Sequence, residues 1–406
     1  MDPSPSLPME IMHIIFNEVN LSNDQPTLKV CSLVSRIFLL LCRKHLFSSV
    51  TILVTPDTHN ADDEDRQNQS AVQFLSFLAT DDHVSSFIQN LDIRNITAVP
   101  VLSTWTTVAR SLDELLPKLS PVSLSIHGNL IADWTSSDIT LRNILMRLCL
   151  QPTLTTLNLN FMGISQQELL SLVGVRKLSL SSVYLRLNTL DPEFRLQENL
   201  SSLNKASRLS ILSVVLGDLH ISQAMWNLAR ACASTLKTLK WMSSPYYREF
   251  YVFTYETDGL LKKKMKIGDA EVFFHLINLQ MLPKLTSLST CVPLRAESSL
   301  KDLVILLGNS GEPHILEVLE IICDYDHLPG PQVSSISTWG VWQELDDILA
   351  SPALASLQVV RVSIKSVIRP KHIASRDDNA HAKEAVELFQ HSLPNAYAKG
   401  LICGVN

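Results

Sequence analysis

The sequence predicts an α/β protein in two parts, three helices within the first fifty residues and then an irregular solenoid of short strands and helices. Three observations carry that reading. Apolar residues recur at helical spacing up to residue 46, leucine-alternating segments recur from residue 50 onward, and stretches with a 3.6-residue period separate those segments. With 46% hydrophobic and 18% charged residues over 406 positions, the chain holds enough apolar material for more than one packed unit.

Leu7-Pro8-Met9-Glu10 opens the first helix. Pro8 at the first helical position has no N–H to leave unbonded, and Glu10 puts a negative charge at the positive end of the helix dipole. Ile11, Ile14, Ile15 and Val19 then form one apolar stripe. The polar stretch Asn20 to Gln25 breaks the pattern, and Pro26 begins a second helix on which Leu28, Cys31 and Val34 share a face. Ser35-Arg36 is a short joint. Ile37 to Leu46 forms the third helix, closed by the cations Arg43, Lys44 and His45, and Val50, Ile52 and Val54 then alternate as a strand does. Helices of this length make too small a unit to bury all their apolar residues on one another. The remaining surface meets either a partner or the rest of the chain.

The ordered set L-P-x-E-I, helix, V-C-S-L-V-S-R, then R-K-H-L-F resembles the F-box motif in its fungal, basidiomycete-type form. The matching residues are Leu7, Pro8, Glu10, Ile11, Ile14, Val30, Cys31, Leu33, Val34, Ser35, Arg36, Leu46 and Phe47. The resemblance implies the substrate-recognition subunit of a Skp-cullin-F-box ubiquitin ligase. In that role the helices dock on a Skp-type adaptor, which leads to a cullin-RING ligase, and the body holds a protein substrate still to be identified. Carried over as adaptor contacts are Leu7, Pro8, Ile11, Ile15, Leu28, Cys31, Val34 and Phe47. The domains follow as 1–50, F-box-like, and 51–406, the body. A non-ubiquitin scaffold whose first helices cap the body is the competing expectation.

The body repeats a segment of the form L-x-x-L-x-L. Leu154, Leu157 and Leu159 give the clearest case, followed by Val175, Leu178 and Leu180, by Leu236, Leu239 and Trp241, and by Leu316, Leu319 and Ile321. Weaker units fall at Leu91 and Ile93, Leu124 and Ile126, Leu209 and Leu212, Leu285 and Leu288, and Leu357 with Val360 and Val362. Helical periodicity lies between them, over Ser70–Ala79, Ser137–Leu150, Ser165–Val173, Ile221–Ala233, Ala270–Leu279, Ser298–Leu307 and Val341–Leu349. The alternation predicts a leucine-rich-repeat-like solenoid, in which each unit buries its edge on the next. It also suits a doubly wound α/β sheet, and the short strands favour the solenoid. The units are degenerate: their spacing runs from 21 residues (Leu154 to Val175) to 49 (Leu236 to Leu285), and Asn160 alone stands as a ladder residue after a last leucine.

Two insertions stand apart. Thr55 to Gln69, with Asp57, Asp62, Asp63, Glu64 and Asp65, reads as an acidic solvated loop. Residues 246–267, with Asp258-Gly259 between an aromatic run and Lys262, Lys263, Lys264 and Lys266, read as a hairpin.

No phosphate loop, nucleophile elbow, zinc helix or dinucleotide turn is present, so no enzymatic activity and no cofactor are expected. The seven cysteines are scattered without C-x-x-C spacing, and Asp324, Asp326 and His327 lack fixed companions, so no metal is expected either. A net charge of -6 argues against a nucleic-acid partner. The opening residues carry no secretory pattern and no apolar run is long enough for a membrane span, which predicts a cytoplasmic or nuclear protein. Cys403 lies four from the last residue as in a prenylation box, but Gly404 and Asn406 do not fit one.

Overall fold

The computed structural model describes residues 8–21, 24–53, 61–96, 102–133, 139–186, 207–216, 219–243, 250–256, 259–265, 277–294, 297–308, 314–324, 336, 338–365 and 391–405. The chain divides into two compact units, Met1–Glu168 and Leu169–Asn406.

The first unit begins with three helices, α1 (Met9–Leu21), α2 (Gln25–Ser32) and α3 (Arg36–Leu46). Four strands follow: β1 (Ser49–Leu53), β2 (Asn90–Ile96), β3 (Ser123–Asp133) and β4 (Thr156–Ser165). They pair parallel in chain order. The register explains the alternation in the sequence, because Val50, Leu91, Leu124 and Leu157 form one row and Ile52, Ile93, Ile126 and Leu159 the next. All eight side chains are buried. A parallel pair needs a crossover of a dozen or more residues. The crossovers hold α4 (Ala61–Thr80) with α5 (Asp82–Ser85), then α6 (Leu102–Leu115), then α7 (Ile139–Cys149). These helices bury Leu75 and Leu78, Val108, Leu112 and Leu115, and Ile144, Leu145 and Leu148.

The second unit repeats the plan. Its sheet runs in the order β5 (Lys177–Ser181), β7 (Ile211–Leu216), β8 (Thr238–Ser243), β11 (Ser287–Pro293), β12 (Val318–Asp324), β13 (Val359–Lys365) and β14 (Ile402–Val405), again parallel throughout. Tyr184–Arg186 is the short β6, and β9 (Phe250–Glu256) pairs antiparallel with β10 (Gly259–Met265). Leu178, Leu212, Leu239, Leu288, Leu319 and Val360 share one buried row. Helices Leu219–Ala231, Glu297–Gly308 and Val341–Leu349 lie in the crossovers.

This arrangement corrects the leucine-rich-repeat-like solenoid. The strands of each unit belong to a parallel sheet, and helices lie in most of the described crossovers, the α/β arrangement that the alternation also suited. The misreading has a physical source. L-x-x-L-x-L is what any strand with one buried face displays, and intervals of 21 to 49 residues are the length of a strand plus a helical crossover. The first helices do not cap a stack, since their extensive contacts are with one another.

Smaller corrections follow the same logic. The acidic stretch expected as a loop is helical from Ala61 onward. Residues 62–65 fall at the start of that helix. Helix α6 was not expected, because Thr104, Thr106 and Thr107 obscure the spacing of Val108, Leu112 and Leu115. Residues 54–60, 270–276 and 325–335 lie outside the described residues, and with them Val54, Asp57, most of the expected Ala270–Leu279 helix, Asp326 and His327.

Candidate functional site

The N-terminal helices are apolar on two sides. On α1, Met12, Phe16 and Val19 turn inward and join Leu28 and Cys31 of α2 and Phe38, Leu41, Cys42 and Leu46 of α3 in one core. Phe16 and Phe38 meet edge to face with centroids 5.2 Å apart. Ile11, Ile14 and Ile15 instead stand exposed. The single stripe expected on α1 is therefore two, with Val19 on the inner one and the three isoleucines on the outer.

Local hydrogen bonds fix this geometry. The carbonyl of Pro8 accepts the N–H groups of Ile11 and Met12 at 3.1 and 3.2 Å, so Pro8 precedes the helix and supplies its first acceptor. Asp24 caps α2, accepting from the Thr27 N–H at 3.1 Å and the Thr27 hydroxyl at 2.5 Å. Those bonds hold the Asp24 carboxyl below its ordinary value. Ser35 caps α3 through the Phe38 N–H at 3.2 Å. Both are N-cap residues that satisfy first-turn N–H groups, and the Ser35 cap starts α3 directly after the turn where Leu33 and Val34 sit.

Ile11, Ile14, Ile15, Val30, Leu33, Val34, Ile37 and Leu40 are exposed away from this core, and Met9 is exposed at the start of α1. These are nine of the eighteen exposed large apolar side chains among the described residues. Leu33 is 85% exposed, Val34 66% and Val30 65%. Covering one side chain of this size is worth about 1.5–3 kcal/mol. Single exposed apolar residues are ordinary, and these nine fall within some thirty residues of sequence.

The expected adaptor contacts separate on this geometry. Pro8, Ile11, Ile15 and Val34 are exposed. Leu28 is fully buried and belongs to the helical core, so its side chain has no surface to offer. Cys31 is half-buried against that core, and Phe47 is half-buried with its ring 6.4 Å from that of Phe77 on α4. Leu7 lies outside the described residues. Ile14, Val30, Leu33, Ile37 and Leu40 join the surface without having been singled out as contacts. Their signal was available in the outward i, i+3, i+4 spacing of helices too short to bury two faces.

A second feature lies on the sheet face of the first unit opposite the leucine rows. Arg94, His127 and Asn160 are in register on β2, β3 and β4. The Arg94 Nε and Nη2 both approach Asp92 Oδ2 at 2.7 Å. His127 places Nε2 3.4 Å from Asp92 Oδ1, and Asn160 Nδ2 lies 3.1 Å from His127 Nδ1. Next to Asn160, Phe161 is exposed at a φ of 53°, where β4 slips against β3. A positive φ on a bulky residue is strained backbone. The row links three strands through their side chains.

The thiols have the opposite character. Burial pushes Cys149 far up and Cys232 up to about 11, which keeps both protonated and inert. Among the described residues no group of three or more His, Cys, Asp and Glu could hold a metal ion, and no helix is long and apolar enough to cross a membrane. No family model matches the chain, and no curated protein matches it.

Proposed function

We propose that this chain is a non-enzymatic adaptor. Its first three helices dock on a Skp-type adaptor of a cullin-RING ubiquitin ligase, and its α/β body holds a protein substrate. The observation that carries this reading is the outer apolar side of α1–α3, present although the same helices already close a core of their own through Phe16, Leu28, Leu41 and Cys42. The ordered resemblance of residues 7–47 to an F-box supplies the kind of partner. In such an assembly the chain does no transfer chemistry. It raises the effective concentration of the substrate near the ligase. A cytoplasmic or nuclear location belongs to the same proposal.

Co-expression with a Skp-type adaptor tests it. The wild type co-elutes with the adaptor, whereas Ile11→Asp with Val34→Asp leaves a chain that melts as the wild type does and elutes alone. A wild type that never retains the adaptor removes the ubiquitin role and leaves a protein-interaction module with a different partner at the same surface.

A further inference from the structure

Successive strands of the second unit start in line. The Arg176 carbonyl accepts the N–H groups of Ser210 and Ile211 at 2.9 and 3.1 Å, the Ser210 carbonyl those of Lys237 and Thr238 at 2.9 and 3.0 Å, and the Lys237 carbonyl those of Thr286 and Ser287 at 2.9 and 3.0 Å. These bonds bring the starts of β5, β7, β8 and β11 to one rim of the sheet, and cations crowd it. Arg176 and Lys177 stand at β5, Arg208 just before Ser210, Lys237 at β8 and Lys284 just before Thr286. All five are exposed, and none forms an ion pair with a described carboxylate. At the next strand the sign changes, where the Thr286 carbonyl accepts the Glu317 N–H at 2.8 Å.

The fold does not require these charges. In the first unit the same bonds run from Ser48 to Gln89, from Gln89 to Val122 and from Val122 to Thr155, and none of those four residues is charged. The residues that stand there as Arg208 and Lys284 do in the second unit are Phe87, Ser120 and Thr153, again uncharged. Unpaired cations on neighbouring strands repel one another, a cost that an acidic partner removes. The chain as a whole carries a net charge of -6, so the positive field is confined to this rim. At a spacing of about 4.8 Å per strand the four starts span about 14 Å, which an extended peptide covers with about five residues. A long polyanion or an anionic membrane would extend past Glu317 and over the negative remainder of the chain; a short acidic segment would not.

We propose that this rim takes an acidic segment of a partner protein, whose Asp and Glu carboxylates pair with Arg176, Lys177, Arg208, Lys237 and Lys284. The assignment gives the chemistry of the protein that the body holds, and it rests on the reading of that body as the part that holds one.

Fluorescence anisotropy of a labelled deca-glutamate peptide, titrated with the full chain alone, tests it. One variant joins Arg208→Gln, Lys237→Gln and Lys284→Gln. A control joins Lys29→Gln, Arg110→Gln and Lys301→Gln, which removes the same charge from exposed positions elsewhere. The wild type binds the peptide, the binding weakens as salt is raised, and a deca-glutamine peptide is not held. Exposed ion pairs are individually weak, so the rim variant loses about tenfold in affinity while the control stays within about twofold of the wild type. If the rim variant melts earlier than the wild type, its three single substitutions, each about twofold weaker, give the same reading. A wild type that does not hold the glutamate peptide overturns the proposal, as do an equal loss in both triple variants and binding that salt leaves unchanged. Tighter binding of a deca-uridylate or of phosphatidylserine vesicles, with the same loss in the rim variant, also overturns it and gives the rim to nucleic acid or membrane. The Ile11→Asp, Val34→Asp variant holds the peptide as the wild type does, so a chain that binds peptide but no Skp-type adaptor keeps the rim site and loses only the ligase role.

Discussion

Phe38 meets Phe16 edge to face, with ring centroids 5.2 Å apart, and that contact divides the N-terminal helices into an inside and an outside. The inside is closed by Phe16, Leu28, Leu41 and Cys42. Because the bundle has a core of its own, its exposed isoleucines, valines and leucines are available to a partner. Phe16→Ala lowers stability by about 3–5 kcal/mol, the cost of emptying a buried aromatic site. Leu33→Asp, at a position open to solvent, changes it by no more than about 0.5 kcal/mol. Denaturant unfolding of both variants checks the contrast, and equal losses would place Leu33 inside the core.

Ser165 and Glu168 form a reciprocal cap at the start of helix Gln166–Ser171. The Ser165 N–H donates to Glu168 Oε2 at 3.0 Å and the Glu168 N–H to Ser165 Oγ at 3.3 Å, while Arg142 on α7 donates from Nε to Glu168 Oε1 at 2.6 Å. Glu168→Ala removes cap and ion pair together and costs about 1–2 kcal/mol. Glu168→Gln keeps the cap and costs less. A double-mutant cycle with Ser165→Ala shows a coupling of about 0.5 kcal/mol or more, because the two side chains are one unit. Strict additivity contradicts the cap.

Stability falls in mild acid. Burial lowers the pKa of His314 from its ordinary 6.5, and burial, then Lys44, then His13 lower that of His45. Each ring is held neutral in the folded chain, so the unfolded chain takes up the proton first. The contribution is complete above the ordinary value near 6.5 and is lost as pH falls toward the depressed folded value. Asp24 adds a second loss at lower pH: its stabilisation is present above the ordinary 3.8 and disappears as pH drops through the depressed folded value. Urea midpoints measured from pH 7.5 downward decline through this range, and His314→Gln flattens the first part of the decline. A midpoint that rises between pH 6.5 and 5.5 contradicts the assignment.

Thiol reactivity follows burial. Cys31 is half-buried, whereas Cys42, Cys149, Cys232, Cys291 and Cys323 are buried. With iodoacetamide at mildly alkaline pH, Cys31 is modified before Cys149 and Cys232, which react only when the chain unfolds. Peptide mass spectrometry over time reads the order, and early labelling of Cys149 contradicts the packing around α7.

Much of the secondary structure was legible in the sequence because its signal is local. The inward residues Leu157 and Leu159, Leu178 and Leu180, and Leu319 and Ile321 all lie buried in strands, and Val341–Leu349 is helical over the expected range. The sheet that unites those strands was not legible. Pairing joins residues 27 to 49 positions apart, and a buried alternating strand looks the same in a stacked repeat and in a parallel sheet. On α1 the period revealed an apolar helix but not which side faces the core, since Phe16 and the isoleucines occupy different stripes of comparable hydrophobicity. Asp92, His127 and Asn160 come together only through strand register. Asp346 caps a helix some fifty residues away, accepting the Asn395 and Ala396 N–H groups. Neither relationship leaves a motif in the linear chain.

The decisive measurement is calorimetric titration of a Skp-type adaptor into the purified chain, beside a Leu33→Asp, Val34→Asp variant of unchanged melting temperature. The wild type binds, and the variant binds at least about a hundredfold more weakly, roughly 2.7 kcal/mol. Equal affinity for both proteins would contradict docking through the outer face of the helices, and a wild type that releases no heat with the adaptor at any concentration would contradict the adaptor role itself.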